Sequence, residues 1–519
     1  MSFKIIINFD APNNTVVEGN IQKLKKDKWD VYIDGWLEND ILPDENKNRI
    51  GVFNLILWDP TTACLKIEND LLGQRPLYIS LNNGKIIISD NYWNVFSDLD
   101  RIDIDYDSIE QMLNFRRLVP SWKTFDKKII RLPAGGLYEY KKGNSHYCVK
   151  QKLRMEQAPD ESIGLKDAVN QLHESLLNLF SNINNIFNSF EIWFGNSGGL
   201  DSRIIPAYAH LFGIKINGFI VSNNKPLGLY NQSIHSGERI ANYFGFPFLK
   251  INYYEGSGWE RMIQDLYVNP FGPSNFHKNP KYDFFRNKLV LNGGSSFTIA
   301  NDNNFWKIAE QMNNPIRSFI DKYLIRSNVK LDMLDEYEDL IRYQFEDFNV
   351  DDTFSLMRTM HQTYLNVTSP MGAFESMSFA GEFQYIYHPY ATSKALKWPK
   401  HLFYDRIVQI ELFNKHFPDL LSIPDQKGRY WNDDKKTKSF SNKINMRIRK
   451  SGLDYPKWLK SSWFMKTFKQ VEKYIYNSNS KLAIENFNRL NNYNKYQDQL
   501  DMIKISLIIA HMERRVSPK

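Results

Sequence analysis

The chain has 519 residues and a net charge of +7, with 42% hydrophobic and 14% aromatic residues. This length exceeds the usual single hydrophobic core, so we expect at least two domains, and the composition excludes a disordered chain. The two cysteines, Cys64 and Cys148, lack paired spacing, which argues against a disulfide framework or a Cys/His zinc site and fits a reducing compartment. No apolar run is as long as a membrane span, and the first residues resemble a strand rather than a signal peptide. We therefore expect a cytoplasmic protein.

The first 150 residues have the pattern of short strands separated by turns. Turn signals such as Asp59-Pro60 and Asn82-Asn83-Gly84 lie between the apolar runs. Helices are predicted at Asn91–Phe96 and Asp107–Asn114. The predicted strands are Lys4–Phe9, Trp29–Trp36, Gly51–Asp59, Cys64–Asn69, Leu77–Leu81, Lys85–Ser89 and Gly136–Tyr140. Many strands with few helices predict a sandwich-like α+β domain over residues 1–155.

The pattern changes after a break at Gln157–Ser162. An amphipathic helix is predicted at Leu165–Ser181, and strands then alternate with helices. The strands are Phe190–Phe194, Lys215–Val221, Phe246–Asn252 and Lys288–Leu291, and the helices between them are Asp201–Phe212 and Ser233–Phe244. This alternation predicts an α/β domain with a parallel sheet over residues 160–519, with ligands at the carboxyl ends of the strands. Residues 315–450 are predicted to be mainly helical, and Gln497–Met512 to be a final amphipathic helix.

The segment between the first of these strands and its helix carries the most specific chemistry. It contains a Ser-Gly-Gly-x-Asp-Ser loop made of Ser197, Gly198, Gly199, Leu200, Asp201 and Ser202. No Gly-Lys-Ser/Thr follows, so this is a pyrophosphatase loop rather than a Walker P-loop. Exposed N–H groups and the helix dipole favour the phosphates of ATP, and Asp201 suits a bridging Mg²⁺. The alternative is an ordinary Gly-rich turn. The match of six residues to the motif, in a strand–loop–helix setting, argues against it.

Three segments of the chain resemble the asparagine synthetase family. Gly51–Asp59 and Asn69–Tyr78 look like its glutaminase domain, and Arg131–Gly136 is similar to the Leu-Pro-x-Gly turn that ends that domain. The loop at Ser197–Ser202 follows at the expected distance. The resemblance implies an N-terminal nucleophile fold over residues 1–155 and an ATP-pyrophosphatase domain with a parallel sheet and a helical C-terminal part over residues 160–519.

The chain departs from that family where glutamine is hydrolysed. Glutamine-hydrolysing members expose an N-terminal cysteine after Met1 is removed, whereas position 2 here is Ser2. No counterpart of the family's Asn-Gly-Glu segment is found between Val31 and Gly51. The chain therefore resembles members that have lost glutaminase chemistry, such as β-lactam synthetases and lasso peptide cyclases. A nucleophilic Ser2 is the alternative.

The resemblance also implies further contacts to the nucleotide. Val221 ends the strand where the family places residues against adenine, and Gly293 and Gly294 match a second Gly-rich loop. Ser295 stands where the family has an Asp that contacts the magnesium–pyrophosphate. A hydroxyl is a poor substitute for a carboxylate toward Mg²⁺, and Asp302 is an alternative source of charge.

Acid–base residues are expected further along the chain. The segment Tyr385–Thr392 matches the family's Glu-x-Arg-x-Pro-Phe-Leu-Asp stretch but lacks its acidic positions, so Glu382 is the candidate base, with Glu375 as an alternative. Lys427 is the candidate cation for the reacting intermediate. His388 is either a ligand or base, or a structural histidine.

The resulting function is an ATP-dependent amide ligase. It would adenylate a small-molecule, peptide or glycan carboxylate and transfer it to ammonia or a substrate amine, in natural-product, peptide or polysaccharide biosynthesis. A degenerate paralogue that binds nucleotide as a scaffold is the alternative. A tRNA-modifying enzyme is a third hypothesis, since Lys435–Lys450 is basic, but we interpret that run as a solvated helix face. We expect ATP and Mg²⁺ as cofactors, no membrane or nucleic-acid partner, and leave a homodimer open.

Overall fold

The structure, a computed structural model, has a mixed α/β architecture with antiparallel and parallel sheets. Two antiparallel sheets lie within residues 3–151, and a parallel sheet is formed by strands between residues 191 and 385. The residues described are 2–38, 49–141, 148–151, 159–222, 229–252, 258–268, 270–271, 282–285, 287–293, 314–325, 329, 331–345, 353–361, 382–425, 462–492 and 496–516.

Eleven strands of the described residues form the two antiparallel sheets. Their orders are β2-β1-β8-β7-β9 and β11-β10-β6-β5-β4-β3. The strands are β1 (Phe3–Asn8), β2 (Thr15–Gly19), β3 (Gln22–Lys26), β4 (Trp29–Leu37), β5 (Gly51–Asp59), β6 (Cys64–Asn69), β7 (Tyr78–Asn82), β8 (Lys85–Ser89), β9 (Ile129–Arg131), β10 (Gly136–Lys141) and β11 (Cys148–Gln151).

The two antiparallel sheets pack face to face, as the sandwich prediction requires. Buried residues alternate with partly exposed ones along β1, so that Phe3, Ile5 and Ile7 share one face. That face joins a core with the inner residues of β5, among them Ile56 and Trp58. All nine residues of β5 are buried, because its outer face forms a second apolar cluster.

Two short helices follow the strands of the first sheet. Helix α1 (Tyr92–Ser97) is capped by Asn91, whose side chain accepts a hydrogen bond from the Trp93 N–H. Helix α2 (Tyr106–Asn114) is capped in the same way by Asp105. Their buried faces belong to a core that also contains the last helices of the chain.

The third sheet is parallel throughout, with the strand order β14-β13-β12-β15-β16. From β12 the chain moves outward to β13 and β14, and then returns to the other side of β12 to form β15. The elements are α3 (Leu165–Ile186), β12 (Glu191–Gly195), α4 (Leu200–Leu211), β13 (Asn217–Ser222), α5 (Leu229–Phe244), β14 (Phe248–Asn252), α6 (Gly258–Val268), β15 (Lys288–Asn292) and β16 (Glu382–Tyr385). The order in which strands are added therefore reverses between β12 and its neighbour β15. Sheets of this kind bind ligands at the carboxyl edge beside such a switch point.

The remaining described helices pack around this sheet and against the N-terminal part. A π-helical turn at Ile320–Leu324 continues α7, and 3₁₀ turns occur at Tyr282–Phe285, Lys400–Phe403 and Arg489–Asn492. The helices are α7 (Pro315–Phe319), α8 (Leu331–Gln344), α9 (Thr353–His361), α10 (Tyr390–Ala395), α11 (Ile407–His416), α12 (Pro418–Leu421), α13 (Ser462–Tyr476), α14 (Lys481–Asn488) and α15 (Tyr496–Val516).

The last helix differs from its prediction. The sequence suggested an amphipathic helix at Gln497–Met512, yet every residue from Asp501 to Ala510 is buried. Helices α6, α13 and α14 and the N-terminal helix α2 all pack against α15, so it has no long solvent face. Its buried Lys504 is neutralised by Asp265 of α6, with Nζ and Oδ2 3.2 Å apart.

The N-terminal and C-terminal parts are joined by specific contacts. Phe115 and Tyr337 stack with ring centroids 3.7 Å apart and an interplanar angle of 5°. The Tyr337 hydroxyl also donates to the Arg117 carbonyl at 2.9 Å. The two parts thus share packed side chains and are not connected by a linker alone.

Sequence and structure disagree mainly at edge strands. β2 and β3 were not predicted, because polar residues such as Lys23 and Lys25 interrupt their apolar pattern at the sheet edges. β9 and β11, of three and four residues, were also missed. β16 is a strand within a region predicted to be mainly helical. Within the described part of the chain, no helix combines the length and apolarity needed to cross a membrane.

Candidate functional site

The Ser197–Ser202 loop lies at the switch point of the parallel sheet. It connects the carboxyl end of β12 to the amino end of α4. Asn196, the first residue after β12, is tied to the neighbouring strand, since its N–H donates to the Phe219 carbonyl at 2.8 Å. The loop is therefore fixed to the carboxyl edge of the sheet, where the sequence placed it.

The Asn196 side chain and Gly198 set the path of the loop. Asn196 is buried, and its amide Nδ2 donates to the Gly237 carbonyl at 2.9 Å while its Oδ1 accepts from the Gly198 N–H at 3.3 Å. Gly198 has a left-handed φ of 71°, and a Cβ there would lie 1.9 Å from the Ser236 Oγ. Only glycine satisfies both the dihedral angle and the space.

A buried arginine holds the loop from behind. Arg203 donates to the Gly198 carbonyl from Nε at 2.9 Å and from Nη2 at 2.7 Å, and from Nη1 to the Leu420 carbonyl at 2.5 Å. Burial lowers the pKa of Arg203 to about 10, so it stays charged at neutral pH. The Gly198 carbonyl is thereby directed into the protein.

The first turn of α4 and two hydroxyl groups form the floor of the site. Gly199 is the N-cap of α4 and offers no side chain to its first N–H groups. The Ser202 hydroxyl donates to the Gly199 carbonyl at 3.0 Å, and the Oγ atoms of Ser197 and Ser202 lie 3.5 Å apart. An uncapped helix start with flanking hydroxyls suits an anionic ligand.

Asp201, the residue expected to hold Mg²⁺, is engaged by protein donors. Its Oδ1 accepts from the Arg406 Nη1 at 2.7 Å and from the Gln409 Nε2 at 2.7 Å. Gln409 is buried and also donates to the Tyr387 hydroxyl at 2.8 Å. Burial, together with the nearby charge of Asp201, raises the pKa of Tyr387 well above its ordinary value, so Tyr387 is neutral.

One of the two carboxylate oxygens of Asp201 is engaged by the protein. Across the described ranges, no group of three or more His, Cys, Asp or Glu side chains is arranged to hold a metal. The Oδ1 of Asp201 already accepts two hydrogen bonds, one of them from a cation. Mg²⁺ at phosphate sites is usually held by one or two carboxylates together with substrate phosphates and waters, and the Asp201 Oδ2, which accepts from no described donor, suits one such position.

The end of β15 packs against the loop. A Cβ on Gly293 would lie 2.4 Å from the Asp201 carbonyl oxygen, so the two backbones touch. Val221 lies in β13, two residues beyond Phe219, which pairs with Gly195 at the end of β12. Gly294, Ser295, Asp302, Glu375, Lys427 and Lys435–Lys450 lie outside the described residues.

Glu382 is placed away from the loop. It begins β16 and pairs with Leu289, whereas Tyr385 pairs with Asn292 at the carboxyl edge. Three residues of strand separate Glu382 from that edge, a distance of about 10 Å.

His388 reaches the N-terminal part of the chain. It is buried, and its Nε2 lies 3.0 Å from the Oδ1 of the buried Asp70. Asp70 also accepts from the Leu72 N–H at 3.0 Å, which fixes the carboxylate. This position joins two parts of the structure and does not face the loop.

A second polar cluster surrounds Ser2. The Ser2 hydroxyl donates to the Asp90 Oδ1 at 2.6 Å and accepts from the Asn94 Nδ2 at 2.8 Å. Burial, and then the nearby Asp34 carboxylate, raise the pKa of Asp90 to about 6. Asp34 is paired in turn with Arg75, whose Nη1 lies 2.6 Å from its Oδ1.

A cavity of about 820 Å³ lies at the opposite end of the parallel sheet. It is lined by the ends of α3, α4 and α5, including Phe187, Phe190, Phe244 and Phe246. Because it faces the amino ends of the strands, it does not belong to the loop.

Comparison with known proteins supports the assignment of the N-terminal part. Residues 43–151 match the sequence model of a glutamine amidotransferase domain. This stretch includes the strands from β5 to β11, and we describe it as amidotransferase-like. No curated protein matches the chain.

Solved structures give only distant likenesses. NMN synthetase from Francisella tularensis is 12% identical over 42% of this chain and 93% of its own, with a TM-score of 0.17. Glutamine phosphoribosylpyrophosphate amidotransferase from B. subtilis, complexed with ADP and GMP, is 7% identical over 60% of this chain and 71% of its own, with a TM-score of 0.17. An allosteric regulatory enzyme of purine biosynthesis is 8% identical over 59% of this chain and 70% of its own, also with a TM-score of 0.17. Because the identities and TM-scores are this low, we infer neither the fold nor the function of this chain from these structures.

Sequence reasoning missed the side chains that surround the loop. Arg406 and Gln409 lie more than 200 positions after Asp201, and neither belongs to a motif. Arg203 directly follows the motif, and its position one turn along the helix from Gly199 was an available signal. Ser236 had no local signal.

Proposed function

We propose that this chain is an ATP-dependent amide-bond-forming ligase. It adenylates a substrate carboxylate, releases pyrophosphate and transfers the acyl group to ammonia or to a substrate amine, without hydrolysing glutamine. We place it in natural-product, peptide or polysaccharide biosynthesis. The amidotransferase-like N-terminal part is compatible with amide chemistry.

One observation carries the proposal. The Gly198 loop, the uncapped start of α4 and the end of β15 at Gly293 meet at the switch point of a parallel sheet. This is where such sheets bind nucleotides, and glycine at both positions lets a ligand approach the backbone. The Ser-Gly-Gly-x-Asp-Ser sequence supports a pyrophosphate as the group that binds.

The reaction divides into two balanced steps. A carboxylate oxygen of the substrate attacks the α-phosphorus of ATP, the bond from that phosphorus to the β-bridging oxygen breaks, and pyrophosphate leaves with the electron pair. The amine nitrogen then attacks the acyl carbon, and the bond between the acyl carbon and the AMP oxygen breaks. The nitrogen loses a proton. The amide and AMP are the products.

The chain contributes binding and charge stabilisation to these steps. The loop N–H groups and the Ser197 and Ser202 hydroxyls would hold the leaving pyrophosphate. Gly294, Ser295 and Val221 are proposed as further contacts to the nucleotide. Lys427 is proposed as the cation that offsets charge on the acyl-adenylate. The place of Glu382 argues against its role as the base, and the base is assigned to no described residue. Mg²⁺, when bound, would neutralise charge on the phosphates of ATP, and Asp201 is the described carboxylate proposed to hold it.

The surroundings of Ser2 support the loss of glutaminase activity. A hydroxyl nucleophile attacking an amide generates an oxyanion, which needs N–H donors close by. The Ser2 hydroxyl accepts from the Asn94 amide but donates to the Asp90 carboxyl group, and the Asp34 carboxylate lies near enough to raise the Asp90 pKa. Charge of the wrong sign therefore lies beside the hydroxyl.

A nucleotide-binding scaffold is the second candidate function. It is favoured by the engagement of Asp201 by Arg406 and Gln409, which leaves this carboxylate committed to the protein. Both functions predict that the chain binds ATP, but only the ligase converts ATP to AMP and pyrophosphate.

Product analysis separates these functions. Purified protein is incubated with Mg²⁺–ATP, a pool of carboxylic acids and a pool of amines, and the nucleotide and phosphate products are quantified. The ligase yields AMP and pyrophosphate in equal amounts, and only when an acid is present. ADP with phosphate would contradict adenylation, and ATP binding without any product would favour the scaffold.

A further inference from the structure

We propose that the cavity of about 820 Å³ at the amino ends of the parallel strands binds an aromatic carboxylate. The aryl ring would lie against the phenylalanine walls of the cavity, and the carboxylate would be held by Lys215 and His210. This cavity is separate from the nucleotide loop, so its ligand is independent of the proposed function.

The walls of the cavity are apolar and rich in aromatic rings. Phe187 is buried, while Phe190, Phe244 and Phe246 are half-buried and line the cavity with it. The rings of Phe187 and Phe190 meet edge to face with centroids 6.0 Å apart, so the wall offers both ring faces and ring edges to an aryl group. Apolar walls with a few polar groups, in a volume of about 300–1,000 Å³, are typical of sites for small organic ligands.

Two glycines leave open space beside the backbone of the cavity wall. Gly213 and Gly245 follow the ends of α4 and α5 with left-handed φ values of 63° and 73°, and a Cβ on either would have no described atom within 4 Å. Their N–H groups donate back to the His210 carbonyl at 3.1 Å and to the Ala241 carbonyl at 2.8 Å, respectively. These helix-end carbonyls, which would repel an anion, are thereby engaged. The space beside the glycines suits a flat ring.

The polar groups at the cavity favour an anion. Glu191 is the only carboxylate in the described lining; Lys288 Nζ lies 3.6 Å from one of its oxygens, and the Asn217 amide donates to the other at 3.2 Å. Lys215 and His210 are exposed, and neither forms an ion pair with a residue in the described ranges. The imidazole donates an N–H in either protonation state, and the lysine adds a positive charge. The cavity therefore offers two donors, one of them a cation without a described counterion.

The cavity is too far from the nucleotide loop for its ligand to be the acid that would be activated there. The five residues of β12 run from Glu191 at the cavity to Gly195 beside the loop, a distance of about 13 Å. Helix α4 likewise has the loop at its amino end and His210 in its last turn. A ligand in the cavity would thus contact the two elements that carry the loop without reaching the loop itself.

A series of ligands that differ in charge tests this assignment. Naphthalene carboxylate, its neutral carboxamide and naphthylmethylammonium are each titrated into the purified full-length chain by calorimetry. We expect the carboxylate to bind at least about fivefold more tightly than the carboxamide, and the ammonium to bind more weakly than either. Equal affinities for the carboxylate and the carboxamide, tighter binding of the ammonium, or no binding of any of the three would overturn the inference.

The Lys215→Gln variant locates the binding site. It should reduce the affinity for the carboxylate by about fivefold and leave that for the carboxamide unchanged, because only a charge contact is removed. Lys85→Gln, which removes an exposed lysine of β8, is the matched control and should bind the carboxylate like the wild-type chain. Phe244→Leu should weaken the carboxylate and the carboxamide alike, because both lose a ring contact. Unchanged carboxylate affinity in Lys215→Gln would contradict the assignment.

The Gly198→Ala variant separates this cavity from the nucleotide loop. Naphthalene carboxylate should bind this variant like the wild-type chain, since Gly198 lies at the opposite edge of the sheet. Carboxylate binding that is lost in Gly198→Ala and retained in Lys215→Gln would place the ligand at the loop, which would overturn the inference and leave the proposed function intact. Circular dichroism confirms that each variant is folded.

Discussion

Arg406 and Asp201 lie 205 positions apart in the sequence and form an ion pair of 2.7 Å at the carboxyl edge of the parallel sheet. The pair joins the first turn of α4 to the first turn of α11. Through it, the start of a helix far along the chain is fixed against a loop whose own sequence supplies the backbone donors. The site therefore depends on the packing of α11 against the loop as well as on the sequence of the loop.

The Gly198→Ala variant is expected to damage the loop specifically. Its Cβ would lie 1.9 Å from the Ser236 Oγ at a φ of 71°, so steric overlap adds to the dihedral strain. Gly213→Ala is the matched control, because Gly213 has a φ of 63° with nothing within 4 Å of its Cβ. Each variant should lose about 1 kcal/mol to strain alone.

ATP titration and urea unfolding distinguish these two variants. We expect Gly198→Ala to lose more stability than Gly213→Ala and to bind ATP at least about tenfold more weakly, because the loop must move off Ser236. The Gly213→Ala variant should bind ATP like the wild-type chain. Equal ATP affinity in all three proteins would show that the nucleotide does not use this loop.

The hydrogen bond between Gln409 and Tyr387 should stabilise the fold. Both side chains are fully buried and the Nε2–Oη distance is 2.8 Å. Gln409→Leu leaves the Tyr387 hydroxyl without this donor and should lower the free energy of unfolding by about 1–3 kcal/mol.

A double-mutant cycle tests this contact by urea denaturation. Adding Tyr387→Phe to Gln409→Leu should cost less than the sum of the two single losses, since the orphaned hydroxyl is removed. Strictly additive losses would mean that the two side chains do not interact.

His173 makes stability depend on pH in the acidic range. Its ring stacks on that of His416 with centroids 3.8 Å apart, and burial, followed by the charges of His416 and Lys415, lowers the pKa of His173 to about 4. The unfolded chain therefore binds more protons than the folded chain between about pH 4 and 6.5, so stability falls as the pH drops through that window.

His173→Phe isolates this contribution. Urea unfolding at pH 7.5 and pH 5 should show a smaller loss of stability on acidification for the variant than for the wild-type chain. The His173 Nδ1 lies 2.7 Å from the Tyr208 hydroxyl, so a constant loss at both pH values is also expected. An unchanged difference between the two pH values would contradict the assignment of the shift to His173.

Asp90 has the opposite pH dependence. Its pKa is raised to about 6 by burial and by Asp34, so the folded chain binds more protons than the unfolded chain between about pH 4 and 6. The stability associated with protonated Asp90 is present below this window and is lost as the pH rises through it. Asp90→Asn, which cannot ionise, should therefore gain stability relative to the wild-type chain on going from pH 5 to pH 8.

The same urea measurements test Asp90. Asn94→Ala serves as a control, since it removes the amide that donates to Ser2 at 2.8 Å but leaves the Asp90 carboxyl group. The pH dependence of this control should follow the wild-type chain. A constant difference between Asp90→Asn and the wild-type chain at all pH values would refute the raised pKa.

Local patterns were sufficient to predict much of the fold. β5 was predicted with its exact bounds because Gly51–Asp59 is a continuous apolar run between turn signals. The parallel sheet followed from the alternation of strands and helices. The charged edge strand β3 could not be predicted, since three of its five residues are lysines. The four-residue strand β16 carries too little pattern to distinguish it from a helix.

The candidate site was only partly predictable. The glycines of the loop indicate a backbone conformation that other residues rarely adopt, and Gly198 has such a conformation, with a left-handed φ. No local pattern connects Asp201 with Arg406 or Gln409, because their contact depends on how α11 packs. A carboxylate in a phosphate loop suggested a metal ligand, and the structure adds that one oxygen of this carboxylate bonds to a guanidinium and an amide.

The most direct measurement of the central claim is ATP–pyrophosphate exchange. Labelled pyrophosphate is supplied with Mg²⁺–ATP and a carboxylic acid pool but without an amine, so that only adenylation can return the label to ATP. The account predicts acid-dependent exchange that is retained in Gly213→Ala and lost in Gly198→Ala. Exchange that persists in Gly198→Ala, or an absence of exchange accompanied by acid-dependent release of ADP, would contradict it.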